Sequence, residues 1–251
     1  MSRILFVFTS VSKTLLGNPT GWYLPEAAHP YYVLAPHFPI DFAAPHGPNP
    51  PIDQSSVENF KDEDSTKFLV DPTVQSLLAN ATLLDLKNIN VNDYAAIFYV
   101  GGHGPVLDLA TDASNIAVAN EFYRSGKIVS AVCHGPAALV GVTSSDGKSI
   151  FDGNAATAFS NAEEEKVGRV KDIPFLAEDR IVSLGGTFEK APELFAPKVV
   201  RSGTLITGQN PASAKPIGEE ILKALQTRSV FDLDDTYSHS IERESEKVEP
   251  E

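Results

Sequence analysis

Three apolar runs, Arg3–Phe8, Tyr94–Val100 and Lys127–Val132, each break off at a polar or glycine-bearing turn. Apolar residues at consecutive rather than alternate positions are what a strand covered on both faces requires. Only helices packed on each side of a mainly parallel sheet supply that cover. The segments between the runs fit. Asp71-Pro72 opens a helix as N-cap and first-turn proline. Asp112–Ser125 is helical and closes at Gly126. Pro136–Val140 begins another helix, and Asn161–Val167 is a short acidic one. Tyr23–Leu34 has helical spacing, although Pro30 would disturb it. Ile173–Leu184 reads as a helix ended by Gly185-Gly186. Ile40–Ala44 is a second short strand, and Val199–Gly208 reads as two strands about a Ser202-Gly203 turn. Pro211–Leu225 is a closing helix. No internal repeat is present.

The 251 residues suit one large α/β domain, over 1–226. The proline- and glycine-rich stretch 45–51 and the charged stretch after it, with Phe60 and Phe68 as apolar anchors, read together as an inserted cap over 45–70. From 227 to 251 the chain is acidic and poor in apolar residues, the composition of a solvated tail. No apolar run is long enough to span a membrane. Arg3–Phe8 is too short for a signal sequence and has no cleavage site behind it, so a cytoplasmic protein is expected. A net charge of −13 with no basic stripe argues against nucleic acid or an anionic membrane as partner.

The single cysteine, Cys133, excludes an intrachain disulfide or a paired-cysteine metal site. A lone cysteine is most often an inert buried hydrophobe. Here a buried strand runs straight into Cys133-His134-Gly135-Pro136. That places the sulfur at the carboxyl end of a central strand, where open α/β sheets put their sites. The geometry resembles a nucleophile elbow. The positive end of the following helix is expected to lower the thiol pKa by about two to three units. A second turn, Gly101-Gly-His-Gly104, ends the neighbouring strand. Its N–H groups, with that of His134, could form an oxyanion hole. His29, His37 and His46 fit no compact ligand spacing, so no metal is expected.

Ala131-Val-Cys-His-Gly-Pro-Ala137, Gly102-His-Gly104, Pro25-Glu26 with His29-Pro30, and Thr207-Gly-Gln-Asn-Pro-Ala-Ser213 together resemble the DJ-1/PfpI superfamily. The likeness is greatest to its Hsp31-like branch, which includes fungal glutathione-independent glyoxalases. It covers residues 3 to about 225. The resemblance implies a flavodoxin-like sandwich, with Cys133 as nucleophile and His134 as base. It also implies Glu26 as an acid touching the sulfur and Gly102 and His134 as the oxyanion hole. Glu164 is the best match to the triad acid, with Glu163 and Glu165 beside it as alternatives. Some relatives carry a metal; none is expected here, nor any other cofactor. A homodimer is implied.

The implied reaction converts methylglyoxal, a small 2-oxoaldehyde, to lactate through a cysteine hemithioacetal, formally lyase chemistry. Acyl transfer uses the same nucleophile, base and oxyanion hole, so an amidase, peptidase or protein deglycase is an alternative. Relatives described as stress proteins suggest a third reading, a holding chaperone or a redox sensor built on an oxidisable thiol.

Overall fold

The computed structural model describes residues 2–227. The chain order is β1 (Arg3–Val7), α1 (Leu24–Leu34), β2 (Ile40–Ala44), α2 (Gln54–Asn59), α3 (Glu63–Phe68), α4 (Pro72–Ala79), β3 (Thr82–Leu83) and β4 (Tyr94–Tyr99). It continues with α5 (Gly104–Leu107), α6 (Ala113–Arg124), β5 (Ile128–Val132), β6 (Ala155–Ala156), α7 (Asn161–Val167), α8 (Ala177–Ser183) and β7 (Thr187–Phe188). It closes with β8 (Val199–Ser202), β9 (Leu205–Gly208) and α9 (214–227). One seven-stranded sheet has the order β3-β2-β1-β4-β5-β9-β8. All its neighbours are parallel except β8 and β9, which form the expected hairpin. β6 and β7 pair separately.

The period-two alternation of a strand splits each central strand between two cores. Ile4 and Phe6 of β1, Phe98 of β4 and Ile128 of β5 face one core, closed by α1, Phe68, Val74 and α9. Leu5 and Val7, Ile97 and Tyr99, and Val129 and Ala131 face the other, closed by α6 and α8. This is the two-sided α/β layering that consecutive apolar positions predict, arranged as the flavodoxin-like sandwich the resemblance implies. The strand order reverses about β1, so the crevice beyond the carboxyl ends of the central strands is the natural place for a site.

Local details differ from the sequence reading. Pro30 stays inside α1. A proline there forfeits the bond to the carbonyl four residues back, but Pro30 is buried and packs beside Gly218 of α9. The helix over Ile173–Leu184 shrinks to α8; Val170–Asp172 is a 3₁₀ turn and Ile173–Leu176 is irregular. The helix expected at Pro136 is a 3₁₀ segment, Gly135–Leu139. Within 45–70, Phe68 is fully buried against Trp22, Tyr31 and Phe42, so that stretch contributes to the core as well as to the surface. The acidic stretch read as a tail lies, apart from Thr227, outside the described residues.

Candidate active site

β5 ends at Val132, and Cys133 takes φ +60°. A left-handed conformation costs a non-glycine residue about 1–2 kcal/mol, so the surroundings must fix it. They do so through the backbone: Cys133 N–H donates to Gly208 O at 2.9 Å, and Phe159 N–H donates to Cys133 O at 2.9 Å. The side chain is only 4% exposed. The elbow predicted from sequence is thus present, with a buried sulfur.

Glu26 sits in the first turn of α1 and is fully buried. A first-turn acid is ordinarily a solvated partner of the helix dipole; this one points inward. A Cβ on Gly101 would lie 2.2 Å from Glu26 Oε2 and 2.8 Å from Cys133 Cβ. The bare glycine therefore lets carboxyl and cysteine approach across it. Neither carboxyl oxygen makes a hydrogen bond among the described residues. The groups that face the carboxyl are the Cys133 thiol and the Gly102 N–H. Burial pushes the Glu26 carboxyl up to about 8. At neutral pH it is protonated, and it faces the sulfur.

Burial also pushes the Cys133 thiol up, as does the neighbouring Glu26, while the Gly102 N–H draws it down. This corrects the expected low thiol pKa. The correction has two causes: the sulfur is out of water, and the segment behind it is a five-residue 3₁₀ turn instead of a helix with a developed dipole. What offsets burial in part is the Gly102 N–H, and protonation of Glu26 removes the charge that would oppose a thiolate.

His134 places Nδ1 at 3.3 Å from Cys133 Sγ. Its Nε2 pairs with Glu164 Oε2, and Glu164 Oε1 pairs with His103 Nε2 at 2.8 Å. A carboxylate between two ring nitrogens assigns both as N–H donors, which leaves the His134 Nδ1 lone pair facing the thiol. Burial, helped by the neighbouring His103, lowers the His134 pKa and keeps the ring neutral. Burial alone would raise Glu164. The two imidazole hydrogen bonds, and at low pH the charge His134 takes on when it protonates, outweigh it and hold the carboxyl far below the usual range. His103 stacks on His134 with centroids 4.1 Å apart, and Phe159 lies 4.7 Å from the same ring.

Among the three adjacent glutamates, Glu164 alone meets His134. Glu163 is the third residue of a capping box with Ser160, and it accepts from Gln209 and Asn210 as well. Glu165 is exposed. Ser160-Asn-Ala-Glu163 is a capping-box pattern readable in the sequence, a signal that could have removed Glu163 from the candidates. Gly102, at φ +93°, turns its N–H toward the sulfur, and the His134 N–H has no acceptor among the described residues. Every residue expected at the site is therefore assembled in one place. His103 is the residue that sequence reasoning passed over; it lay within the quoted glycine turn, but no spacing rule links it to Glu164.

His103, His134 and Glu164 offer ligand atoms within 4.8 Å of one another. This two-histidine, one-carboxylate set is different from His29, His37 and His46; His29 pairs with Asp62 instead. The hydrogen bonds among the three account for their arrangement without a cation. The site opens on a cavity of about 900 Å³, whose walls include Tyr23, Phe60, Phe159 and Phe195. Trp22, by contrast, is core.

A strained, buried cysteine beside a protonated carboxyl and a histidine–carboxylate pair, at the end of a central strand, defines an α/β protein with its candidate site at a cysteine elbow. The DJ-1/PfpI family model matches residues 26–224. The chain belongs to the DJ-1/PfpI family. It is 30% identical to the glutathione-independent glyoxalase hsp3102 of Schizosaccharomyces pombe, over 83% of this chain and 90% of that protein. Among solved structures it is similar to the 24 kDa rapid encystment protein of Francisella tularensis, with TM-score 0.84 and 33% identity over 90% of this chain and 99% of that one. It is also similar to glyoxalase III from Candida albicans, with TM-score 0.80 and 26% identity over 89% and 97%.

Proposed function

We propose that this protein is a glutathione-independent glyoxalase that converts a small 2-oxoaldehyde such as methylglyoxal to the 2-hydroxy acid, lactate. The observation that carries this reading is the placement of Cys133 Sγ between the Glu26 carboxyl and the His134 Nδ1 lone pair. Relatives aligned over most of the chain bear the name.

The sulfur adds to the aldehyde carbon, and its proton passes to His134 Nδ1. Gly102 and His134 N–H groups hold the new oxyanion, each such donor being worth about 10²–10³ in rate. The hemithioacetal oxygen takes up a proton. His134, neutral again once it has given that proton to the oxygen, then removes the C1 proton and returns one at C2 through an enediolate. C1 is oxidised and C2 reduced within one molecule, so no external oxidant or reductant enters. Water cleaves the resulting thioester, releasing the acid and the thiol. A thiol this buried favours a small electrophile over an extended peptide, which sets the reading apart from a peptidase.

The test is turnover of methylglyoxal without glutathione by wild type and Cys133→Ala. Loss of 2-hydroxy acid formation to background in the variant is expected. Turnover at the wild-type rate would refute the covalent mechanism.

A further inference from the structure

The Thr207–Ser213 motif is not used by the chemistry above, yet it is built with care around one loop. Residues 189–198 connect β7 to β8 and contain no long regular element. Gln209 Oε1 accepts from Ala191 N at 2.8 Å, Asn210 Nδ2 donates to Ala196 O at 2.8 Å, and Ser213 Oγ accepts from Lys198 N at 3.0 Å. Gln209 and Asn210 also each donate, at 2.9 Å, to the buried Glu163 carboxylate, which accepts from Phe195 N at 2.9 Å. The residue held at the centre of this lacing, Phe195, has φ +62°. A β-carbon in that conformation is strained, and strain that the surroundings enforce points to function. An aromatic side chain 41% exposed is a poor trade for core packing. Its ring instead lines the cavity over Cys133.

Phe195 is one of two aromatic pairs there. It meets Phe159, which covers His134, at 6.3 Å between centroids. On the other side Tyr23, whose N–H donates to Gly101 O, meets Phe60 of the 45–70 stretch at 5.6 Å. Methylglyoxal has five non-hydrogen atoms and at roughly 30 Å³ per water-sized group fills about 150 Å³. The cavity is about 900 Å³. A methyl group needs neither that volume nor four aromatic rings.

We infer that the loop 189–198 is a specificity loop, and that Phe195, fixed by Glu163, Gln209 and Asn210, walls an apolar subsite for the C2 substituent of aryl or bulky alkyl 2-oxoaldehydes. The inference rests on the glyoxalase reading and deepens it. Glu163 and Glu164 then divide the labour of one helical turn: one carboxylate orients His134 and the other sets the wall of the pocket.

Phenylglyoxal and methylglyoxal are the probes, compared by kcat/KM for wild type, Phe195→Ala and Phe195→Gly, with thermal unfolding to check the fold. Burying a ring where a methyl leaves space is expected to favour phenylglyoxal at least tenfold. Both variants are expected to reduce that preference at least fivefold, and glycine, which accepts the left-handed backbone, to unfold no earlier than alanine. A wild-type preference of one or below, or an unchanged ratio in both variants, overturns the inference. Should neither aldehyde yield a 2-hydroxy acid, the glyoxalase reading itself falls. The subsite is then judged by calorimetry on Cys133→Ala. Mandelate binding at least tenfold tighter than lactate upholds it, and a smaller difference overturns it.

Discussion

At the residue scale the account turns on one proton between Glu26 and Cys133. Glu26 is held up to about 8 by burial, so the donor state is lost as pH rises through that value. The alkaline limb of kcat/KM is expected near pH 8. Glu26→Gln, which keeps an N–H donor but cannot ionise, is expected to remove that limb; a pH-rate profile checks it. Stability follows the same group with a definite sign. Below its ordinary value of 4.5 the carboxyl is protonated in both folded and unfolded chains and costs nothing. Between 4.5 and about 8 only the unfolded chain ionises, so stability declines with rising pH, by on the order of a few kcal/mol. Glu26→Gln is therefore expected to raise the unfolding midpoint more at pH 8 than at pH 5. Equal gains at both would contradict it. Glu164 lies at the other extreme. It stays ionised in the folded chain across neutral and mildly acid pH. Glu164→Gln removes an acceptor from two imidazoles and is expected to lower kcat by roughly 10²-fold or more, with a smaller change in KM.

At the scale of elements, the helices report how local chemistry was read. Asp71 accepts from Thr73 N at 2.9 Å as the N-cap of α4, and Asp71→Ala is expected to cost about 1 kcal/mol in denaturant unfolding. Phe68→Ala, in a buried aromatic cluster, is expected to cost about 3–5 kcal/mol. A loss under 1 kcal/mol would mean that 45–70 is only a surface cap. The long strands, and α4, α6 and α7 with their caps, were legible because each has a repeated pattern or a capping side chain. β3, β6 and β7, of two residues each, are too short to show any alternation. The overextended helix at Ile173–Leu184 arose because apolar spacing does not register Pro174, which disfavours helix in the residue before it.

At the scale of the whole molecule, the parallel layering and the position of Cys133 at a strand end followed from apolar runs and the turn that stops them. Composition and spacing could not assemble the site. Glu26, Cys133, His134 and Glu164 are separated by up to 138 residues of chain, and only the crossovers between strands bring them together. Family resemblance supplied those positions. It carries no role for His103 or for Gln209-Asn210, whose partners lie on a loop without a pattern of its own. The thiol departs from its expected pKa because sequence reveals the turn but not the depth of burial or a carboxyl from another helix.

The most direct measurement is the amount of 2-hydroxy acid formed per methylglyoxal consumed, by proton NMR, with no glutathione present. One lactate per aldehyde from wild type, and none above background from Cys133→Ala, is the predicted result. Methylglyoxal that disappears without lactate, or lactate formed equally by the variant, would contradict the account.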